Sequence, residues 1–347
     1  MRRFGRTLVT AAVAVAVVAG TAGWASADNQ QAVTGPPPGA DAWRADSVSG
    51  RRLPDPAGAP PREVAAFFAG LDEAGRRRLL VRHPLVVGNL EGAPLPLRYE
   101  ANRLAVLTTG DARFASLAGP GRRILAFDPR GRGQVAEVFG DLEHAAHVSV
   151  IVPGSDNDAT AYDARRTPHT GPAGMARALR AAAAGDTAVV AWTGYTTPVG
   201  VGLDAADGRL AEAGAVRLAR FTAGLDAVGA PDPVLFCHSY GSVVCGLAAR
   251  HTDASDVVVF GSPGMRAGTA AGLGTTARVW AARGPSDWIA DVPNVEVAGI
   301  GHGADPTSPA FGARRIPAGD VRGHTGYFAP GTRSLAAFAS IADGAAR

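Results

Sequence analysis

Residues 123–127, 134–139, 147–152, 187–192, 234–236, 256–260 and 278–282 are short runs dominated by apolar and β-branched side chains, most of them bounded by Gly, Pro, Asp or Asn. Between and after them lie stretches compatible with helices, at 172–184, 210–228, 242–250 and 334–342. The first two runs flank Asp128-Pro129-Arg130-Gly131-Arg132-Gly133, a turn that predicts an antiparallel hairpin. After it strands and helices alternate, which predicts an α/β fold: a mostly parallel central sheet covered by helices on both faces. The alternation Val295-Glu296-Val297 is the candidate last strand. Ahead of the hairpin, Val64, Phe67, Phe68 and Leu71 lie at helical spacing, Leu79-Leu80 before His83-Pro84 suggests a second helix, and 97–107 a third. This segment, 62–120, has apolar faces but no sheet of its own. It is expected to be an N-terminal helical extension packed on the α/β domain at 121–347.

The chain ends change this picture. Residues 1–27 have the parts of a secretory signal: Arg2, Arg3 and Arg6, an apolar core over 8–20, and Ala25-Ser26-Ala27 as a cleavage site. The protein is therefore expected to be secreted, extracellular after cleavage, and without a stable membrane span. Residues 28–61, with Gly35-Pro36-Pro37-Pro38-Gly39 and the prolines from 54 to 61, read as a flexible linker. All 34 basic residues are arginine, and loss of the three in the leader leaves 31 against 31 acidic residues. That balance gives no reason to expect nucleic acid or an anionic membrane as partner. The only cysteines, Cys237 and Cys245, are eight apart across a turn and a helix. Helical rise would hold them roughly 10 Å apart, too far for a disulfide.

One stretch carries chemistry. The apolar run 234–236 leads into Cys237-His238-Ser239-Tyr240-Gly241, and a helix-compatible segment follows at once. A strand, sharp turn and helix with serine at the tip exposes the hydroxyl and aims the next backbone N–H at a reacting carbonyl. Strand and helix nearly touch there, so small residues are needed two before and two after the serine; Gly241 fits, and Cys237 stands where glycine is usual. A second Ser-x-Gly, Gly261-Ser262-Pro263-Gly264, fails because Pro263 has no N–H to hold an oxyanion.

These residues, together with Gly88-Asn89-Leu90-Glu91-Gly92-Ala93-Pro94, Arg98, Asn102-Arg103, Val152-Pro153-Gly154, Ala191-Trp192-Thr193-Gly194-Tyr195 and His324-Thr325-Gly326-Tyr327-Phe328, carry a resemblance. The chain resembles the α/β-hydrolase superfamily over about residues 62–344. More narrowly, it is similar to an actinobacterial α/β-hydrolase family known mainly as a domain of unknown function. In that fold the acid and then the histidine follow the serine along the chain. Asp287, in the loop after the run 278–282, is the expected acid, with Asp291 as the alternative. His324, just ahead of the terminal helix, is the expected base, and the narrower resemblance places the family histidine there; His302 is the alternative. The oxyanion hole is expected from the N–H of Tyr240 and from Gly154 or Ser155, while His238 and Trp192 could line a pocket. Asp156-Asn157-Asp158 lacks the spacing of a calcium loop and reads as a solvated turn, so neither metal nor cofactor is expected. These residues imply a serine hydrolase cleaving a small-molecule or lipid-like carboxylic ester through an acyl-enzyme. Amide or peptide cleavage by the same triad, or a silent binding protein of the same shape, are the alternatives.

Overall fold

A computed structural model describes residues 30–163 and 167–346. The expected leader lies outside the described residues. The main sheet has eight strands: β1 (Ile124–Asp128), β2 (Gln134–Phe139), β3 (His147–Val152), β4 (Thr187–Thr193), β5 (Val234–His238), β6 (Asp256–Phe260), β7 (Arg278–Ala282) and β8 (Arg314–Arg315). Their spatial order is β1-β2-β4-β3-β5-β6-β7-β8. β2 runs antiparallel to both neighbours and all other pairs are parallel. β3 to β7 are buried almost throughout, as parallel strands covered on both faces must be. The last strand is the two-residue β8 at the edge. Glu296–Val297 instead pairs with Ile300–Gly301 in a separate small hairpin, which corrects the expectation for the 295–297 alternation. Alternation fixes which side chains share a face, not which sheet they join.

The helices are α1 (Ala40–Arg44), α2 (Pro61–Ala69), α3 (Glu73–Arg82), α4 (Pro84–Asn89), α5 (Leu95–Thr109), α6 (Pro172–Ala182), α7 (Leu203–Ala206), α8 (Arg209–Ala227), α9 (Gly241–Ala248) and α10 (Arg333–Ala342). α2, α4 and α5 each begin with proline in the first turn, where its missing N–H costs nothing. One core layer packs Leu210, Leu218, Phe221 and Leu225 of α8 and Val243 and Val244 of α9 against one face of the sheet. The other sets Met175 and Leu179 of α6 and Phe338 and Ile341 of α10 against the opposite face.

The segments before β1 are fastened to its edge by polar joints rather than by apolar contact alone. Asn89 Nδ2 donates to the Phe127 carbonyl at 2.6 Å and its Oδ1 accepts the Phe127 N–H at 3.1 Å, so one amide continues the sheet's pairing. Arg98, 1% exposed, makes two bonds to Glu91 at 2.6 and 3.0 Å, and Asn102 donates to the carbonyls of Gly88 and Ile124. Removing one partner of such a buried pair costs about 3–5 kcal/mol.

From Gln30 onward the expected flexible linker is folded. Trp43 is fully buried, donates from its indole to the Pro54 carbonyl at 2.7 Å and meets His83 edge-on. Farther out, the Gln30 N–H bonds Asp204, the Gln30 side-chain oxygen accepts the Val199 N–H, and Val33 N–H bonds Thr196. Proline-rich composition masked this order, because one tryptophan and a set of backbone bonds supply it.

Candidate active site

β5 ends at His238 and α9 begins at Gly241, so two residues reverse the chain. Ser239 therefore adopts φ 52°, a left-handed conformation costing a non-glycine residue about 1–3 kcal/mol. Neighbouring backbone leaves no room beside it. A Cβ at Gly241 would strike the carbonyls of Val152 and Pro153, and one at Gly154 would come within 2.6 Å of Ser239 Cβ and 3.0 Å of its Oγ. Gly154 thus stands against the serine on the loop after β3. Tyr195 braces that loop by donating its hydroxyl to the Pro153 carbonyl at 2.7 Å, and Asn157 by donating to the Gly154 and Ser155 carbonyls at 3.1 and 2.8 Å. Tyr240 sits at the N-cap of α9, where a helix leaves its N–H groups unpaired.

The reversal also overturns the expectation for the cysteines. Cys237 and Cys245 form a disulfide, with Cα atoms 6.4 Å apart. Helical rise counted outward from the turn separates them, but the elbow folds α9 back along β5, so the rise brings Cys245 toward Cys237. Both are fully buried, and the bridge ties strand to helix around Ser239.

Asp287 lies just past β7 and caps a single turn at Trp288–Asp291. Its Oδ1 accepts from His324 Nδ1 at 2.8 Å and from the Ile289 N–H at 3.0 Å; its Oδ2 accepts the Tyr327 hydroxyl at 2.5 Å. The Gly284 N–H in turn donates to Tyr327 Oη at 3.0 Å. Burial pushes the Asp287 pKa up, but the bonds from His324 and Tyr327 together outweigh it and hold it below the ordinary carboxylate value. With Nδ1 donating to Asp287, the free Nε2 of a neutral His324 is an acceptor. Gly261, at φ 56°, passes so close that a Cβ would lie 3.0 Å from Asp287 Oδ2 and 3.1 Å from the His324 ring.

His238 lies beneath the imidazole of His324, ring centroids 4.6 Å apart, stacked on Phe260 and donating from Nε2 to the His324 carbonyl at 2.8 Å. Burial, with the adjacent His324 adding to it, drives its pKa down to about 3. It is a neutral support for the His324 loop. Trp288 packs on the His324 ring, centroids 4.6 Å apart and planes tilted by 41°. Among the described contacts no hydrogen bond joins Ser239 Oγ to His324, a bond that commonly tightens when substrate binds.

The structure thus brings Asp287 and His324 into direct contact and sets His324 against His238, the residue preceding Ser239, while Gly154 stands against Ser239 itself. Trp192, expected to line a pocket, instead packs in the core against Tyr195 and Phe221. The reason is that β4 is buried along its whole length, Trp192 near its end included. His302 is buried, bonds the Ala205 carbonyl at 2.7 Å and sits edge-on to Tyr240, away from Asp287; Asp291 is exposed. Asp158, from the acidic run, is bound to Arg132 at 2.8 Å and to Thr160. Tyr327, Tyr195 and Asn157 escaped assignment to the site, since nothing in spacing says which hydroxyl or amide meets which loop.

A profile of the family described as "Alpha/beta hydrolase" matches residues 128–297, a span that includes Ser239 and Asp287 and stops before His324. Two curated relatives, both uncharacterized proteins of Mycobacterium tuberculosis strains, are 28% identical over 84% of this chain. The chain spans 57% of their length. Among solved structures, esterase PE8 is 16% identical and covers 59% of this chain and 95% of its own, with a TM-score of 0.39. A Xanthomonas campestris protein described as an α/β serine hydrolase without lid is 17% identical, with coverages of 65% and 94% and the same TM-score of 0.39. The family match runs from the end of β1 through β7 and across the elbow on which this site is built, and the chain has the α/β-hydrolase fold.

Proposed function

We propose that the protein is an exported serine hydrolase that cleaves a carboxylic ester through an acyl-enzyme. The observation that carries this is the Asp287–His324 pair, 2.8 Å apart, with the His324 ring packed on His238, the residue before a serine held at φ 52°. Ser239 Oγ attacks the acyl carbon while His324 Nε2 takes its proton. The carbonyl oxygen becomes an oxyanion held by the N–H of Tyr240 and by Gly154 or Ser155. Collapse breaks the bond to the alcohol oxygen, which leaves with the proton from His324. Water then attacks the acyl-enzyme, His324 taking and returning its proton, and the acid departs. Asp287 orients the ring and balances the imidazolium charge.

The test is hydrolysis of p-nitrophenyl butyrate by the purified protein and by Ser239→Ala, His324→Ala and His302→Ala. Turnover is expected in the parent and in His302→Ala, and loss in the other two. Turnover that survives Ser239→Ala, or that needs His302 and not His324, contradicts the assignment.

A further inference from the structure

Ten large apolar side chains stand out from the described surface, and seven of them fall on three segments: Val199, Val201 and Leu203; Val295, Val297 and Ile300; and Trp288. Single exposed apolar residues are ordinary, but clustered ones mark a surface that something covers. Each segment hangs on a different part of the site. The first is tied to the loop carrying Gly154, because Gly200 N–H bonds Asp156 Oδ1 at 2.8 Å and Asp156 N–H bonds the Pro198 carbonyl at 2.9 Å. The second is the small hairpin, whose Ile300 bridges to Asp207; the Asp207 carbonyl accepts the hydroxyl of Tyr240, next to the serine, at 3.0 Å. The third rests on His324 itself. Exposure is high where it matters, 68% at Leu203, 60% at Val297 and 43% at Trp288.

Charge narrows the occupant. Arg266 is paired with Glu296 at 3.1 Å and Arg209 with Asp204 at 2.8 Å, so these cations are already neutralised within the rim. An apolar rim whose arginines Arg266 and Arg209 are already paired gives a polyanion little to hold, whereas it suits hydrocarbon arriving at an acyl-cleaving serine. We propose that this rim docks on the surface of an aggregated long-chain acyl ester and delivers its chains to Ser239. The proposal rests on the ester-cleaving reading of Ser239 and names its substrate class.

Two measurements test it. In the first, kcat/KM is compared for p-nitrophenyl octanoate and acetate in the parent, in Val199→Ser/Leu203→Ser and in Val297→Ser/Ile300→Ser. Each methylene withdrawn from water is worth up to about fourfold, so the parent should favour octanoate by at least an order of magnitude. Both double variants should cut that ratio by about tenfold. A flat chain-length profile, or a ratio unmoved by both variants, overturns the proposal while leaving acetate cleavage to support the ester reading. In the second, Ser239→Ala protein, with and without the rim substitutions, is floated with dioleoylphosphatidylcholine vesicles. Binding that the rim substitutions abolish supports the docking surface even if no ester is turned over, an outcome that would sink only the ester reading. Failure of the intact rim to float overturns the proposal.

Discussion

His238 should make the fold acid-labile in a measurable way. Its folded pKa is about 3 against an ordinary value of 6.5, so the unfolded chain takes up a proton that the folded chain refuses. Stability is then full above the unfolded value, falls as the pH drops through it, and stops falling through this group below about 3. At pH 5 the unfolded ring is almost wholly protonated and the folded ring almost wholly neutral. The difference from pH 7 is about 2 kcal/mol, from 1.36 kcal/mol per unit of displaced titration. His238→Gln keeps a side-chain N–H within reach of the His324 carbonyl but cannot ionise. Urea unfolding at pH 7 and pH 5 should therefore show the parent losing about 2 kcal/mol more than His238→Gln. Equal losses in the two proteins would mean that protonation of His238 is tolerated in the folded state, contrary to its depressed pKa.

Tyr327→Phe removes only the hydroxyl that donates to Asp287, a charge-assisted bond worth about 1.5–3 kcal/mol, so kcat should fall roughly tenfold to a hundredfold with little change in KM. The more basic carboxylate should hold the imidazolium more strongly, moving the acid limb of the pH–rate profile upward; an unmoved limb would make Tyr327 merely a packing residue. Gly154→Ala should fold yet lose most turnover, because its Cβ would crowd Ser239; full activity would contradict the close approach. The native protein should show no free thiol until it is unfolded with reductant, and replacing both cysteines by alanine should cost about 2–3 kcal/mol for so short a loop. Two titratable thiols in the native state would contradict the bridge.

Most of the sheet was legible because its central strands are buried almost throughout: runs such as 147–152, 256–260 and 278–282 leave little choice of structure, and the observed β3, β6 and β7 keep those bounds. β8 was not, since Arg314–Arg315 has no apolar pattern and is a strand only through its pairing with Trp280 and Ala281. In the candidate site, residue type and chain order singled out Ser239, Asp287 and His324, while their supports stayed hidden. Tyr327 reaches Asp287 across forty positions, and His238 reaches the His324 carbonyl across eighty-six, distances that local spacing does not encode. The disulfide is hidden for a related reason: separation along the chain does not convert to distance across the reversal at the elbow.

Whether Ser239 is an activated nucleophile can be read by treating the purified protein with a fluorophosphonate and locating the adduct by peptide mass spectrometry. A single adduct on Ser239 is expected, absent in Ser239→Ala and strongly slowed in His324→Ala. A folded protein that takes no label, or takes it on another residue, would contradict that expectation.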